Sequence, residues 1–370
     1  MMKNIRFSLM LLLAIYSIVQ AQQVNNHAYA VILAGGSGER LWPLSRQNKP
    51  KQLLSVAQDG TLLDQAIDRI MDYIPKENIW ISTTTKFTKI IDQYVGTRIG
   101  TISAEPSPRN TGPAILLTVM KIAQVDPQAV VMFVPADPFI PRAQNSNFLL
   151  SVKKAIDFAQ AHDCIALLGV MPSSPSTGYG YIEHELINEA NKDSLLKIIS
   201  FREKPSYEKA CQYVQQGNML WNMGMFCSKV SVFIEEFKTY APDIYTAVSA
   251  YLQGQGTYEE APNTSIDYAV IEKSTKTYVL PMELTWYDVG NLQVFLSLKQ
   301  QHEGLKTELI SVDSTNNLVD IPDMTVALVG VHNLCITKKD NILVIAKDTS
   351  TEQIRDVVKQ LKKENKQRYL

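Results

Sequence analysis

The apolar positions of this chain switch between two periods. Residues 30–34 form a continuous apolar run, short enough for a fully buried strand, that stops at Gly35-Gly36-Ser37-Gly38. Residues 61–71 then carry Leu62, Leu63, Ala66, Ile67, Ile70 and Met71 at helical spacing, and residues 79–82 read as a second strand. A helix over 113–124 tolerates Pro113 in its first turn. The apolar run 129–135 reads as a buried strand, 148–161 as a helix and 165–170 as another strand. This alternation predicts an α/β fold with a mixed, mostly parallel sheet and helices on both faces. Beyond residue 178 the pattern changes. Strand candidates fall at 179–185, 195–201, 220–227 and 277–284, with helices at 230–239, 243–252, 266–273 and 291–300. After residue 300 short apolar stretches recur at 309–312, 318–321, 325–331, 334–337 and 342–346, which reads as a small β module with a few solenoid-like coils. A terminal helix follows, with Ser350 and Gln353 as its capping box and Ile354, Val357, Val358 and Leu361 as its buried face. The expected organisation is an N-terminal segment (1–27), a catalytic domain (28–300) and a packing module (301–370).

Composition narrows the function classes. The chain has 370 residues, 45% of them hydrophobic, enough for a large core. A net charge of −1 argues against general affinity for nucleic acid or an acidic membrane, so any anion site must be local. Cys164, Cys211, Cys227 and Cys335 form no C-x-x-C pair, which argues against a zinc site or disulfide framework and fits a reducing compartment. Cys227 reads as a small core residue. The N-terminus points elsewhere. Lys3 and Arg6 precede the apolar run 7–19, and Val19-Gln20-Ala21 has the form of a cleavage site, the pattern of a secretory signal peptide. The run is short for a transmembrane helix. Export, a tether through residues 7–19, and an upstream extension of a cytoplasmic protein all stay open. An activity that consumed a nucleoside triphosphate would favour the cytoplasm.

The glycine turn after the first strand carries that chemistry. Glycines admit positive φ and close ligand approach, and successive free N–H groups attract phosphate oxygens. Arg40, Arg46, Lys49 and Lys51 follow closely, so the cluster reads as a polyphosphate site. The spacing is neither G-x-G-x-x-G nor the G-K-[ST] of a P-loop. In an open parallel sheet, ligands collect at the carboxyl ends of strands. Asp137 ends the 129–135 strand, and a carboxylate beside a triphosphate suggests a Mg²⁺ ligand rather than a plain Asp-Pro turn. Asp288 can complete the site, or simply cap the helix that follows it.

The string 29–52 resembles the L-A-G-G-x-G-x-R-L-x-P signature of sugar-nucleotide pyrophosphorylases. Leu41-Trp42-Pro43-Leu44-Ser45-Arg46 and Pro50-Lys51-Gln52 are similar to the mannose-1-phosphate guanylyltransferase branch. Further blocks resemble the same family, in order, from about 29 to 345. They are Glu105-Pro106-Ser107-Pro108-Arg109-Asn110-Thr111-Gly112, Pro135-Ala136-Asp137, Thr177-Gly178-Tyr179-Gly180-Tyr181-Ile182, Phe201-Arg202-Glu203-Lys204-Pro205, Trp221-Asn222-Met223-Gly224-Met225-Phe226, Ser265-Ile266-Asp267-Tyr268-Ala269-Val270 and Trp286-Tyr287-Asp288-Val289-Gly290. Two departures stand out: Pro138 where the family has histidine, and Gly112 where alanine is commoner.

The resemblance implies a Rossmann-like, GT-A-like fold and transfer of GMP from GTP to mannose 1-phosphate. It implies that Leu33, Ala34, Gly35, Gly36, Gly38, Asn110 and Gly112 surround the nucleotide, with Arg40 and Lys51 on its β- and γ-phosphates. Asp137 and Asp288 would hold Mg²⁺. Gly180, Glu203 and Asn222 would face the sugar, and Lys204 its phosphate. The helix of the Ser265–Val270 block reads as mainly structural. No nucleophilic side chain or general base is needed, and none of the five histidines lies in a motif. A homodimer stays open. The alternatives are another base and sugar, or an exported, non-catalytic binding homologue.

Overall fold

The computed structural model describes residues 27–57, 60–187 and 194–370. The signal-like segment lies outside the described residues, among which no helix is long and apolar enough to cross a membrane. Strands β1 (Ala28–Leu33), β2 (Ile79–Thr84), β3 (Thr101–Glu105) and β4 (Val130–Pro135) pair in parallel in the order β3-β2-β1-β4. The two-residue β5 (Pro138–Phe139) leaves this sheet. The sheet continues through β6 (Ile165–Val170), β7 (Tyr181–His184), β8 (Leu196–Arg202), β9 (Met219–Lys229) and β10 (Thr277–Met282), giving nine strands in the order β3-β2-β1-β4-β9-β6-β10-β8-β7. Only β8 and β9 run against the other seven, so the sheet is mixed but mostly of one direction.

Helices cover both faces, because the central strands are apolar on both sides. Ala30, Ile32 and Ile81 pack with helices Leu62–Asp68, Thr85–Val95 and Asn145–Ala161. Val31, Phe133 and Leu167 pack with Thr111–Val125, Val230–Tyr240 and Pro242–Leu252 on the other face. Cys227 is fully buried in the first of these cores, and burial holds its thiol well above the usual value.

At the edge of the sheet, Gly100 has a steric role. A Cβ there would lie 2.0 Å from the Glu77 carbonyl oxygen, a backbone atom that cannot yield. Gly100→Ala is therefore expected to destabilise the fold by about 3 kcal/mol, the upper range for overpacking. Thermal or denaturant unfolding measures this, and an unchanged midpoint refutes it.

Several predicted elements shift. The 61–71 helix is regular only over Leu62–Asp68, where Thr61 and Asp64 form a capping box. The 266–273 helix is a π-helical turn, Asp267–Ile271. Ser350 does not cap the terminal helix. It lies inside a 3₁₀ turn, Asp348–Gln353, in which the Thr351 hydroxyl bonds the Asp348 carbonyl at 3.1 Å, and the helix begins only at Ile354. Ile354 and Val358, one turn apart, take the buried stripe and leave Val357 44% exposed. Helices Thr85–Val95 and Tyr207–Gln216 and strand β3 have no counterpart among the predicted elements. β3 alternates exposure at the sheet edge, and its short apolar signal is correspondingly weak.

Past β10, the two-residue β11 (Tyr287–Asp288) precedes helix Leu292–His302. The C-terminal module holds β12 (Glu308–Val312), β13 (Leu318–Asp320), β14 (Thr325–Val329), β15 (Leu334–Lys339) and β16 (Ile342–Lys347). Glu308 pairs with Thr325 and Leu318 with Cys335, both in parallel and both offset by 17 residues, as stacked solenoid coils require. β16 then turns back antiparallel to β15. The module is not a loose appendage. Its Cys335, Ile342, Ile354, Val358 and Leu370 share one apolar core with Leu41 and Trp42 after the glycine turn and with Val289 and Leu292.

Candidate active site

β1 delivers the glycine turn to the carboxyl end of the sheet. Gly38 adopts φ +71°, and a Cβ on it would lie 2.6 Å from Cβ of Lys51. A Cβ on Gly36 would lie 3.1 Å from Cε of Lys51, so the turn is moulded over this lysine. The Gln52 amide donates to the Gly36 carbonyl at 2.9 Å and fixes the turn from beneath.

Asp137 and Asp288 meet here. β5 and β11 pair antiparallel, with Asp288 opposite Pro138, so two carboxylates 151 positions apart in sequence stand side by side. Pro138, the departure from the family pattern, is thus part of the strand pair that joins them. Lys51 Nζ forms an ion pair with Asp137. Burial works against the Lys51 ammonium, but Asp137 and Asp288 outweigh it and hold its pKa above the usual lysine value. Burial, then the neighbouring Asp137, push Asp288 up to about 6, against the pull of Lys51, Arg40 and Lys204.

A cleft of about 450 Å³ runs from this point between the two halves of the sheet. On one side, Glu203 and Lys204 pair with each other, and Glu203 fits against Gly180, where a Cβ would lie 2.6 Å from its carboxylate. Asn222 donates to Asp267 at 3.0 Å and accepts from the Gly224 N–H at 3.0 Å. Tyr179 packs edge-on against Trp221 and Trp286, and burial pushes its hydroxyl up to about 12. On the other side, Leu33, Gly35, Gly36 and Asn110 line the wall. Asn110 spends its side-chain oxygen on the Thr111 N–H at 2.9 Å, capping a helix, which leaves its NH₂ as the group it can offer.

Two of the expected nucleotide contacts are placed differently. Ala34 is fully buried, its N–H donating to the Ser82 carbonyl and its carbonyl accepting from the Thr83 hydroxyl, so its backbone serves the turn first. Gly112 bonds the Thr264 carbonyl at 3.0 Å, and a Cβ there would lie 2.6 Å from that oxygen; its smallness serves packing. Arg40 pairs with Glu352 at the rim of the cleft and lies close enough to Asp288 to oppose the rise in its pKa.

The family model described as nucleotidyl transferase matches residues 29–304. The chain belongs to this nucleotidyl transferase family. A second model, the MannoseP isomerase/GMP-like beta-helix domain, matches residues 307–361. Mannose-1-phosphate guanylyltransferase 2 of Escherichia coli O157:H7 is 31% identical over 92% of this chain and 75% of its own length. Mannose-1-phosphate guanylyltransferase of Escherichia coli K12 is 32% identical over 90% and 73%. The crystal structure of a mannose-1-phosphate geranyltransferase from Thermus thermophilus, so described, superimposes with a TM-score of 0.78 at 28% identity, covering 91% of this chain and 99% of that one.

Two acidic groups of this nucleotidyltransferase escape a sequence reading of single side chains. The sequence reads Asp267 as part of a structural helix, yet its π-helical turn presents it to the cleft beside Glu203 and Asn222. Burial pushes it up to about 6. The extra residue of a π turn, common at functional sites, leaves no signature in apolar periodicity. Glu105 ends β3 at the cleft and accepts from the Tyr258 hydroxyl at 2.9 Å. Its position at a strand's carboxyl end is the available signal. Burial pushes the Glu105 carboxyl up to about 7, despite the bonds from Tyr258 and the Arg109 backbone.

A raised acid pKa favours the protonated folded state. Its stabilising effect is complete below the usual value of 4.5 and is lost as pH rises through about 7. Glu105→Gln removes this dependence. The melting temperature of the variant relative to the parent is therefore expected to rise between these pH values and level off above them. A pH-independent gap in parallel thermal melts refutes the perturbed carboxyl.

Proposed function

We propose that this nucleotidyltransferase transfers GMP from GTP to mannose 1-phosphate, assisted by Mg²⁺. The observation that carries the reading is the β5–β11 pair, which sets Asp137 and Asp288 together beside the glycine turn. The relatives' names support the substrates. The cleft lining supports the ion. Five carboxylates (Glu105, Asp137, Glu203, Asp267, Asp288) face two lysines (Lys51, Lys204), a balance that repels a triphosphate unless a cation enters with it. No group of three or more metal-ligating His, Cys, Asp or Glu residues occurs among the described residues. Two carboxylates completed by phosphate and water suit Mg²⁺, and a divalent metal is general to the family.

In this reading Asp137 and Asp288 would hold the ion, which would supply positive charge against the phosphates. The glycine-turn amides, Lys51 and Arg40 hold the β- and γ-phosphates. Lys204 draws in the sugar phosphate, and Glu203 and Asp267 accept from sugar hydroxyls, with Asn222 fixing Asp267. An oxygen of the mannose phosphate attacks the α-phosphorus in line, forming one P–O bond as the bond to the β-phosphate breaks and pyrophosphate leaves. The attacking phosphate is already ionised at neutral pH, so positioning and charge neutralisation suffice. Guanine N1–H and NH₂ need an acceptor, which Glu105 supplies when ionised, and O6 needs a donor, which the Asn110 NH₂ supplies. GTP availability puts the working enzyme in the cytoplasm.

The test is pyrophosphate release by protein starting near Val24, across a panel of nucleoside triphosphates and sugar 1-phosphates. GTP with mannose 1-phosphate is expected to be turned over best. Preference for another pair, such as dTTP with glucose 1-phosphate, would replace these substrates.

A further inference from the structure

The C-terminal module reaches the phosphate side of the site through one side chain. Glu352 lies in the 3₁₀ turn just before the terminal helix. Its two oxygens accept from Arg40 Nη1 at 3.0 and 2.8 Å, across 312 positions of sequence. The same carboxylate accepts from the Asn291 amide at 3.0 Å, while the Asn291 oxygen caps helix Leu292–His302 through the Val294 N–H at 3.0 Å. Asn291 stands three residues after Asp288. Between them, a Cβ on Gly290 would lie 3.6 Å from Arg40 Nη2 and 3.2 Å from Asp288 Oδ2. Arg40 is thus held between the module and the Asp288 turn.

We propose that Glu352 is a positioning residue of the nucleotidyl transfer site, fixing Arg40 where the β- and γ-phosphates of the triphosphate bind. The inference rests on the reading that Arg40 serves those phosphates.

The surroundings favour positioning over a solvated ion pair. An isolated surface pair is worth little, because two long side chains lose freedom to form it. Here the side chains are 40% and 49% exposed, but the backbone that carries Arg40 is fixed by its neighbours. Leu41 and Trp42, which follow Arg40 directly, are buried against Ile354, Val358 and Leu370. Trp42 Nε1 donates to the Tyr369 carbonyl at 2.7 Å, the Gln47 N–H donates to Leu370 at 3.2 Å, and Lys362 pairs with Glu39. The terminal helix and the residues after it therefore clamp the segment after the glycine turn on both sides of Arg40. The bonds from Arg40 and Asn291 hold the Glu352 carboxyl below the usual glutamate range, although burial opposes them. The carboxylate is ionised throughout the working pH range and keeps the guanidinium in one place. The module does more than pack: it supplies the group that ties the phosphate turn to the metal-side turn.

The test uses the full chain with Glu352→Ala, Glu352→Gln, Arg40→Ala and the double variant Arg40→Ala/Glu352→Ala. Initial rates are measured forward with GTP and mannose 1-phosphate, and in reverse with GDP-mannose and pyrophosphate. Glu352→Ala is expected to raise KM for GTP and for pyrophosphate about tenfold, the scale for losing a group that orients a ligand-binding side chain. KM for mannose 1-phosphate and for GDP-mannose and the melting temperature should stay unchanged. Glu352→Gln, which keeps an acceptor for Arg40, should recover part of the loss, and Glu352→Ala should add nothing once Arg40 is alanine. If Arg40→Ala raises KM for GTP and pyrophosphate but Glu352→Ala does not, the positioning role is overturned and the triphosphate reading survives. If Arg40→Ala also leaves both constants unchanged, the reading of Arg40 itself fails and Glu352 falls with it. A Glu352→Ala variant that melts early and loses all constants alike overturns the proposal in favour of a structural role.

Discussion

Asp137→Asn is expected to lower the rate of GMP transfer by about 10²–10³-fold, the range for removing one electrostatic stabiliser from a preorganised site. Asparagine matches aspartate in shape and keeps an acceptor for Lys51, so the fold should be retained. It removes one of the two negative charges proposed to hold a divalent ion, so the Mg²⁺ concentration for half-maximal rate should also rise. Asp137→Ala differs in kind. It leaves the Lys51 ammonium, paired with Asp137 in a buried setting, without its partner. Stranding a buried charge costs about 3–5 kcal/mol, so this variant should lose stability as well as rate. The pair of variants separates the two roles of Asp137, with pyrophosphate release reporting one and thermal melts the other. Near-parental turnover by Asp137→Asn removes the metal role.

Gly38→Ala is expected to cost about 10²-fold in kcat/KM for GTP, with part of the loss in KM. Two effects combine. At φ +71° an alanine is strained by about 1–2 kcal/mol. Its Cβ would also stand 2.6 Å from Cβ of Lys51 and 3.2 Å from Cβ of Ser45. Neither neighbour can rotate away at its Cβ, so the turn must move relative to Lys51. A displacement of about 1 Å at a positioned group suffices for a loss of this size. Gly217→Ala is the control. Gly217 has φ +76°, and a Cβ added there would meet nothing within 4 Å, so it shares the strain without the clash. It should lower the melting temperature slightly and leave steady-state constants alone. Equal kinetic losses in the two variants would show that backbone strain, and not the Lys51 contact, governs the turn.

Much of the fold is legible because most central strands are buried on both faces and read as unbroken apolar runs. β1, β4 and β6 fall within a residue or two of their predicted bounds. β3, at the sheet edge, has no such run, and the apolar pattern does not predict it. The 17-residue spacing of the module is present in the sequence, but its short coils give too irregular an apolar pattern to fix the register. The catalytic candidates divide the same way. Lys51, Asp137, Glu203, Lys204 and Asp288 lie in blocks whose order and composition resemble a family. Asp267 and Glu105 lie in such blocks too, but Asp267 reads as part of a structural helix and Glu105 sits in a block where no role falls on it.

What the sequence determined by itself was the inventory: a glycine turn at a strand end, cations after it, one aspartate where a strand stops and another just ahead of a helix. Those are local properties, set by backbone sterics and by apolar periodicity over a few residues. Only the tertiary structure decided which groups face one another. The opposition of Asp288 and Pro138 needs two strands separated by most of the domain, and the bond from Arg40 to Glu352 needs the terminal module packed onto the glycine turn. The physical reason is that charges act through space with a strength set by distance and burial. Neither quantity exists until the chain has folded.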